Sequence, residues 1–237
     1  MLQACLNGAR TRQDHPKVPL SPEELAQDAA EVIAAGAAEL HVHPHGPDGA
    51  ETLDPGLTAA ALTAIRAKVP GIPVGLTTTE GVRSDASRGF DQLKAWRVLP
   101  DYVSVNLSEA DAPEIIELML AKGIGVEAGL ATVADARRWV KLPTMKDCLR
   151  VLVEIDFEKD VADALDLADE IIAVLRQHDV ALPLLLHGFD QTVWPLYRKS
   201  RSLKIDARLG FEDGIHLPDG RVAADNRDII AAARALR

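Results

Sequence analysis

A chain of 237 residues can bury a large core and fits one large domain or two small ones. Hydrophobic residues make up 47% and charged residues 26%, ordinary for a soluble globular protein, and the net charge of -10 (pI near 5.2) comes without any Lys/Arg cluster. These numbers argue against a nucleic-acid partner, which needs a basic face, and against a membrane span, which needs a far longer apolar run than VALPLLL.

The chain opens on MLQACLNGARTR, without the basic start and long apolar stretch of a signal peptide, so a cytoplasmic location is expected. Cys5 and Cys148 then read as reduced thiols, each a small buried apolar residue. The first candidate strand is LQACLNG (2–8). A helical pattern follows at 21–35, with Ser21 as cap, Pro22 at its first position, Glu24 completing a capping box and Gly36 as its stop. AELHVHP (38–44) is the second strand, followed by a helix near 56–68; IPVGLTT (72–78) is the third, followed by one near 86–97. DYVSVNL (101–107) precedes a helix near 111–122, and IGVEAGL (124–130) one near 131–140. CLRVLVEI (148–155) precedes a helix near 159–178, LPLLLHG (182–188) one near 190–201, and IDARLG (205–210) one near 224–236.

Eight strands, each followed by a helix, in this length predict an α/β fold of the (β/α)8 or TIM-barrel type, a single domain over 1–237. An open doubly wound sheet is the rival, but the turn after the first strand reads NGAR and carries no Gly-rich phosphate fingerprint. In such barrels the active site lies at the C-terminal ends of the strands. Those ends are polar here: Asn7 to Arg10, His41 and His43, Thr77 to Glu80, Asn106 to Glu109, Glu127, Glu154 to Asp156, His187, and Arg208 to Asp213.

Side chains alternate along a strand, so His41 and His43 share a face. Two readings follow from that spacing. In one the pair lines a polar mouth and hydrogen-bonds neighbouring strands; in the other it binds a transition metal, zinc first, with Glu212 after the eighth strand as third ligand. Two imidazoles, one carboxylate and an open position make up a catalytic zinc site and not a structural one. His45 has the same parity but follows Pro44, which predicts a loop position. His187 fits either a structural role or contact with substrate.

Several motifs taken together resemble one family. LNGARTRQDHPKVPLSPEELAQDAAEVIAAGAAELHVHPHGPDG at the start and RLGFEDGIHLPDGRVAADN near the end are similar to the β-keto acid cleavage enzymes, zinc-dependent (β/α)8 barrels. The resemblance implies Zn2+ held by His41, His43 and Glu212, Asp213 as base and Arg208 as its partner at the reacting carbons. It also implies a substrate contact for Thr77, and it puts Glu127 near the family's paired glutamates. Asn7, Asn106 and His187, at strand ends, complete the expected substrate-binding set with Arg10. The implied reaction is a Claisen-type exchange in which a β-keto acid and acetyl-CoA give acetoacetate and a new CoA thioester. The expected partners are thus a small β-keto acid and acetyl-CoA, with a homo-oligomeric assembly.

Three departures from the family pattern bear on substrate. Arg10 stands where the family often has Glu, which favours a substrate with an additional anionic group. EIDFEKD replaces the Gly-rich loop after the sixth strand, and HGFDQ stands where an Arg is expected after the seventh. The last two favour a second reading, a metal-dependent aldolase or hydrolase that uses no CoA. A metal-containing binding protein without turnover is a third; the R-x-G-F-E-D motif argues against it, since a binder has little need of a base beside the metal.

Overall fold

The computed structural model describes residues 1–79, 86–156, 158 and 160–236. Glu80, at the end of the third predicted strand, lies outside them, as do Phe157 and Lys159 of EIDFEKD. The strands are β1 (Leu2–Cys5), β2 (Glu39–Val42), β3 (Val74–Thr77), β4 (Tyr102–Asn106), β5 (Gly125–Leu130), β6 (Arg150–Ile155), β7 (Leu184–Gly188) and β8 (Asp206–Leu209). They form a closed parallel barrel in sequence order, the expected TIM fold. The helices alternate with them: α1 (Pro22–Ala35), α2 (Pro55–Lys68), α3 (Ala86–Ala95), α4 (Ala112–Ala121), α5 (Val133–Trp139), α6 (Val161–Gln177), α7 (Val193–Leu203) and α8 (Asn226–Ala235). Among the described residues no helix is long and apolar enough to cross a membrane.

Local chemistry explains where the elements begin. Ser21 accepts from the Glu24 amide and Glu24 answers at the Ser21 amide, so the predicted capping box is formed, and Gly36 ends α1 at φ 111°. Asp54 caps α2 by accepting from the Gly56 and Leu57 amides, with Pro55 at the first helical position. The seventh helix begins later than its pattern suggests. Thr192 exchanges hydrogen bonds with the main chain of Phe189, and residues 190–192 tighten into a 3-10 turn before α7.

By its contacts the chain divides into two compact units, Met1–Asp101 with Leu209–Arg237, and Tyr102–Arg208. In the first, α1 lies against α2 and α8, and Leu25, Val32, Leu62, Ile65 and Ile230 are buried. Trp96, also buried, donates its indole N–H to the Leu53 carbonyl at 2.9 Å, so the ring is both packed and satisfied. In the second, α6 lies against α5 and α7 over a core that includes Ile115, Trp139, Leu152, Leu175 and Leu196.

Candidate metal centre

In the first unit β1 and β2 pair with Cys5 opposite His41, and the Leu6 amide donates to the His41 carbonyl at 3.0 Å. Alternation then sets Cys5 and Asn7 on one face of their strand and His41 and His43 on the matching face of the next. Both histidines are buried. Their Nε2 atoms are 3.2 Å apart, with ring centroids at 5.2 Å and ring planes at 70°.

Glu212 reaches them from a turn just past β8. The amides of Asp213 and Gly214 both donate to the Gly210 carbonyl at 3.0 Å, which curls the chain over residues 210–214. Only glycine fits at 210, because a Cβ there would lie 1.9 Å from the Cys5 carbonyl oxygen. Gly8, at φ 59°, leaves the room in which the Glu212 side chain lies. Glu212 Oε1 is 3.4 Å from His43 Nε2 and Oε2 is 3.9 Å from His41 Nε2. One ligand atom from each of His41, His43 and Glu212 lies within 4.8 Å of the others.

That spacing can be tested against the ion these donors suit. Zinc–nitrogen bonds of about 2.0–2.1 Å at tetrahedral angles put two donors about 3.3–3.4 Å apart. The 3.2 and 3.4 Å separations agree, the 3.9 Å from His41 Nε2 to Glu212 Oε2 is longer, and two imidazoles with one carboxylate are a zinc-type donor set. These three residues fit a divalent transition-metal ion.

A second layer surrounds the three. Asn7 donates to the His43 carbonyl at 2.7 Å and accepts from the His43 amide at 2.9 Å, clamping that residue's main chain. His45, the loop histidine, has its Nδ1 2.8 Å from the His43 carbonyl, which it meets as a donor, and 3.2 Å from Asn7 Nδ2. The carboxylate of Glu51 meets His43 Nδ1. Burial alone would depress the basicity of His43, but the carboxylates of Glu212 and Glu51 outweigh it and hold its pKa up, to about 9. Asp213 is fully buried, and the Cys5 thiol donates to its Oδ2 at 2.9 Å. Arg10 lies across the same turn, its guanidinium 3.3 Å from the Glu212 carbonyl and 3.5 Å from that of Asp213.

The other expected site residues have different surroundings. Thr77 is buried, next after Leu76, which pairs with Val42 in β2; its hydroxyl accepts from the Thr79 amide. In the second unit Glu127 is fully buried and ion-paired with Arg150 at 2.9 Å, and His187 meets Glu154 at 3.3 Å. Asn106 is half-buried at the end of β4, its Oδ1 close enough to Gly129 that a Cβ there would lie 2.9 Å away. Arg208 is buried within β8.

The structure adds Glu51 and Cys5 to the residues around the candidate centre. Neither follows from local spacing. Cys5 has the right parity on β1 to stand beside His41, yet a thiol in an apolar strand reads first as packing. The EIDFEKD and HGFDQ departures fall at the ends of β6 and β7, in the second unit.

Comparison with known proteins agrees with the geometry. A family model described as beta-keto acid cleavage enzyme matches residues 1–237. A 3-oxoadipate:acetyl-CoA acetyltransferase of Cupriavidus necator is 22% identical over 253 residues, covering all of this chain and 87% of that protein. A 3-keto-5-aminohexanoate cleavage enzyme of Fusobacterium nucleatum is 33% identical over 79 residues, 33% of this chain and 29% of that protein. Among solved structures, a ternary complex of ObcA with a C4-CoA adduct and oxalate superposes with a TM-score of 0.73 at 15% identity. It covers 92% of this chain, which spans 63% of the ObcA chain.

Proposed function

The chain belongs to the β-keto acid cleavage enzyme family, and on that premise we propose that it cleaves a β-keto acid with acetyl-CoA, giving acetoacetate and a new CoA thioester. The observation that carries the proposal is the convergence of His41, His43 and Glu212, with Asp213 next to the last of them. A zinc ion held by these three would supply Lewis-acid polarisation of the substrate's 3-oxo group. Asp213 is the base in this reading: its carboxylate, oriented by the Cys5 thiol, takes a proton from the carbon beside that carbonyl. Asn7 keeps the His43 main chain in place, and Arg208 is assigned to neutralise negative charge as the carbon–carbon bond breaks.

Arg10 points to the substrate class. A guanidinium fixed beside residues 212 and 213 favours a keto acid with a distal carboxylate over one with an amino group. A 3-oxoadipate-type dicarboxylate is the proposed class, supported by the name of the acetyltransferase relative. Thr77, Asn106, Glu127 and His187 are proposed as further substrate contacts. A homo-oligomer in the cytoplasm is the proposed setting. The EIDFEKD and HGFDQ stretches support the second reading, a CoA-independent metal-dependent aldolase or hydrolase that uses the same residues.

The test is to incubate zinc-loaded protein with 3-oxoadipate and with 3-keto-5-aminohexanoate, each with and without acetyl-CoA, and to follow acetoacetate and thioester. Acetyl-CoA-dependent acetoacetate from the dicarboxylate, with the preference reversed in Arg10→Glu, is expected. Product formation that ignores acetyl-CoA would select the second reading, and an unchanged ranking in Arg10→Glu would remove the role of Arg10.

A further inference from the structure

We propose that Glu51 is a positioning residue for the metal centre, holding the His43 ring so that Nε2 and not Nδ1 faces the ion. The inference rests on the metal reading of His41, His43 and Glu212 and adds a fourth residue that touches the ring from behind.

A neutral imidazole has one N–H and one lone pair, and the partner of one nitrogen decides which of them the other presents. His43 Nε2 faces the cluster, 3.2 Å from His41 Nε2 and 3.4 Å from Glu212 Oε1. Its Nδ1 faces the carboxylate of Glu51. A carboxylate only accepts, so it stabilises the tautomer with hydrogen on Nδ1 and leaves the Nε2 lone pair for a metal. The negative charge behind the ring also makes Nε2 a stronger donor.

The fold delivers Glu51 by a small hairpin and not by chance proximity. The Thr52 amide donates to the Pro44 carbonyl at 2.8 Å and the Gly46 amide to the Ala50 carbonyl at 2.7 Å, so His45 and Glu51 sit opposite each other in an antiparallel bridge. Asp48 and Gly49 close the turn: the Ala50 amide donates to Asp48 Oδ1 at 3.1 Å, and Gly49 takes φ 78°. One strand of this hairpin continues directly from His43, and the other returns Glu51 to it. On the far side Asn7 grips the His43 amide and carbonyl. Main chain and ring are therefore fixed by separate groups, and removing Glu51 releases the ring alone.

The experiment is an equilibrium competition for zinc against a chromophoric chelator, run on the full chain as wild type, Glu51→Ala and Glu51→Gln. Loss of such an outer partner typically costs about 10- to 100-fold in metal affinity, and that loss is expected for Glu51→Ala. Glu51→Gln should fall between, because its amide oxygen still accepts from Nδ1 but carries no charge. Nitrogen-15 spectra of the zinc-loaded wild type with labelled histidine should show His43 protonated at Nδ1 and metal-bound at Nε2. Wild-type affinity in Glu51→Ala, or binding of His43 through Nδ1, would overturn the inference and leave the metal reading standing. Should the alanine variant fail to fold, the glutamine variant decides, since undiminished affinity there overturns the inference. A wild-type chain that takes up no zinc would overturn the metal reading, and the role of Glu51 with it.

Discussion

The second unit buries Glu127 against Arg150 and sets the half-buried Glu154 against the buried His187, and in both cases the two residues are direct partners across neighbouring strands. Arg150 also lies over the Tyr102 ring, 5.3 Å from its centroid. The first unit instead gathers Glu51, Glu212 and Asp213 around two imidazoles, while Arg10 directs its guanidinium at main-chain carbonyls of the same turn. Two imidazoles and a carboxylate gathered in this way are a donor set that suits a divalent transition-metal ion. Burying charge is costly unless it is paired, so these are two solutions to one problem. The second unit sets Glu127 opposite the Arg150 guanidinium and Glu154 opposite the His187 ring, each partner on the next strand. The first brings one ligand atom each from His41, His43 and Glu212 within reach of a single ion, and the carboxylates of Glu212 and Glu51 hold the pKa of His43 up, to about 9.

The sharpest way to break this contrast is to alter the neighbours Glu212 and Asp213 separately. Asp213→Asn should keep its metal and lose about 100- to 10,000-fold in turnover, the usual cost of removing a general base. Glu212→Gln should lose metal first, because a neutral amide is a poorer ligand than a carboxylate. Zinc content and turnover of both variants decide it; loss of metal in Asp213→Asn, or near-normal turnover, contradicts the assignment of roles.

In the second unit the expected loss is one of stability. Glu127→Ala leaves Arg150 buried without this carboxylate, and removing one partner of a buried pair costs about 3–5 kcal/mol. Urea denaturation of the metal-free chain should show that loss, with zinc uptake of the folded protein intact. A cost below about 1 kcal/mol would mean that the pair is no more than a solvated contact.

The smallest effect concerns Asp28 on α1, which lies in the first unit but outside the metal cluster. Burial, assisted by the nearby carboxylates of Glu31 and Asp225, pushes its pKa up to about 7 against the hydrogen bond from Asn226. The folded state thus binds this proton more tightly than the unfolded chain, whose ordinary value is 3.8. The resulting stability is full below the unfolded value and is lost as pH rises through about 7. Asp28→Asn keeps an acceptor for Asn226 and removes the ionisation. The variant should therefore gain on wild type in urea midpoint between about pH 5 and about pH 8. A difference that stays flat or narrows with pH would show that Asp28 is well solvated.

Much of this is legible in the sequence, and the reasons are local. The Ser21–Glu24 capping box, the Gly36 stop and eight apolar runs each followed by a helical pattern are short-range signals, and they carry the fold. His41 and His43 were legible because strand alternation depends on parity alone. What was hidden depends on register and on turns. Glu127 and Arg150 are ordinary residues of two strands until the pairing of β5 with β6 sets them opposite each other. Glu51 reaches His43 only because the hairpin closes with a specific count of residues. Cys5 and Asp213 are 208 positions apart, and nothing in LQACLNG announces that its thiol will meet a carboxylate. The strand-end position of Arg10 predicts a substrate ligand, and its hydrogen bonds to the 212 and 213 carbonyls are visible only in three dimensions.

The central claim, that His41, His43 and Glu212 hold a divalent metal beside Asp213, is tested most directly by elemental analysis of purified protein. Wild type should carry about one zinc per chain, and the double change His41→Ala with His43→Ala should carry none while keeping the circular dichroism of the folded barrel. Stoichiometric zinc in the folded double variant would contradict the account.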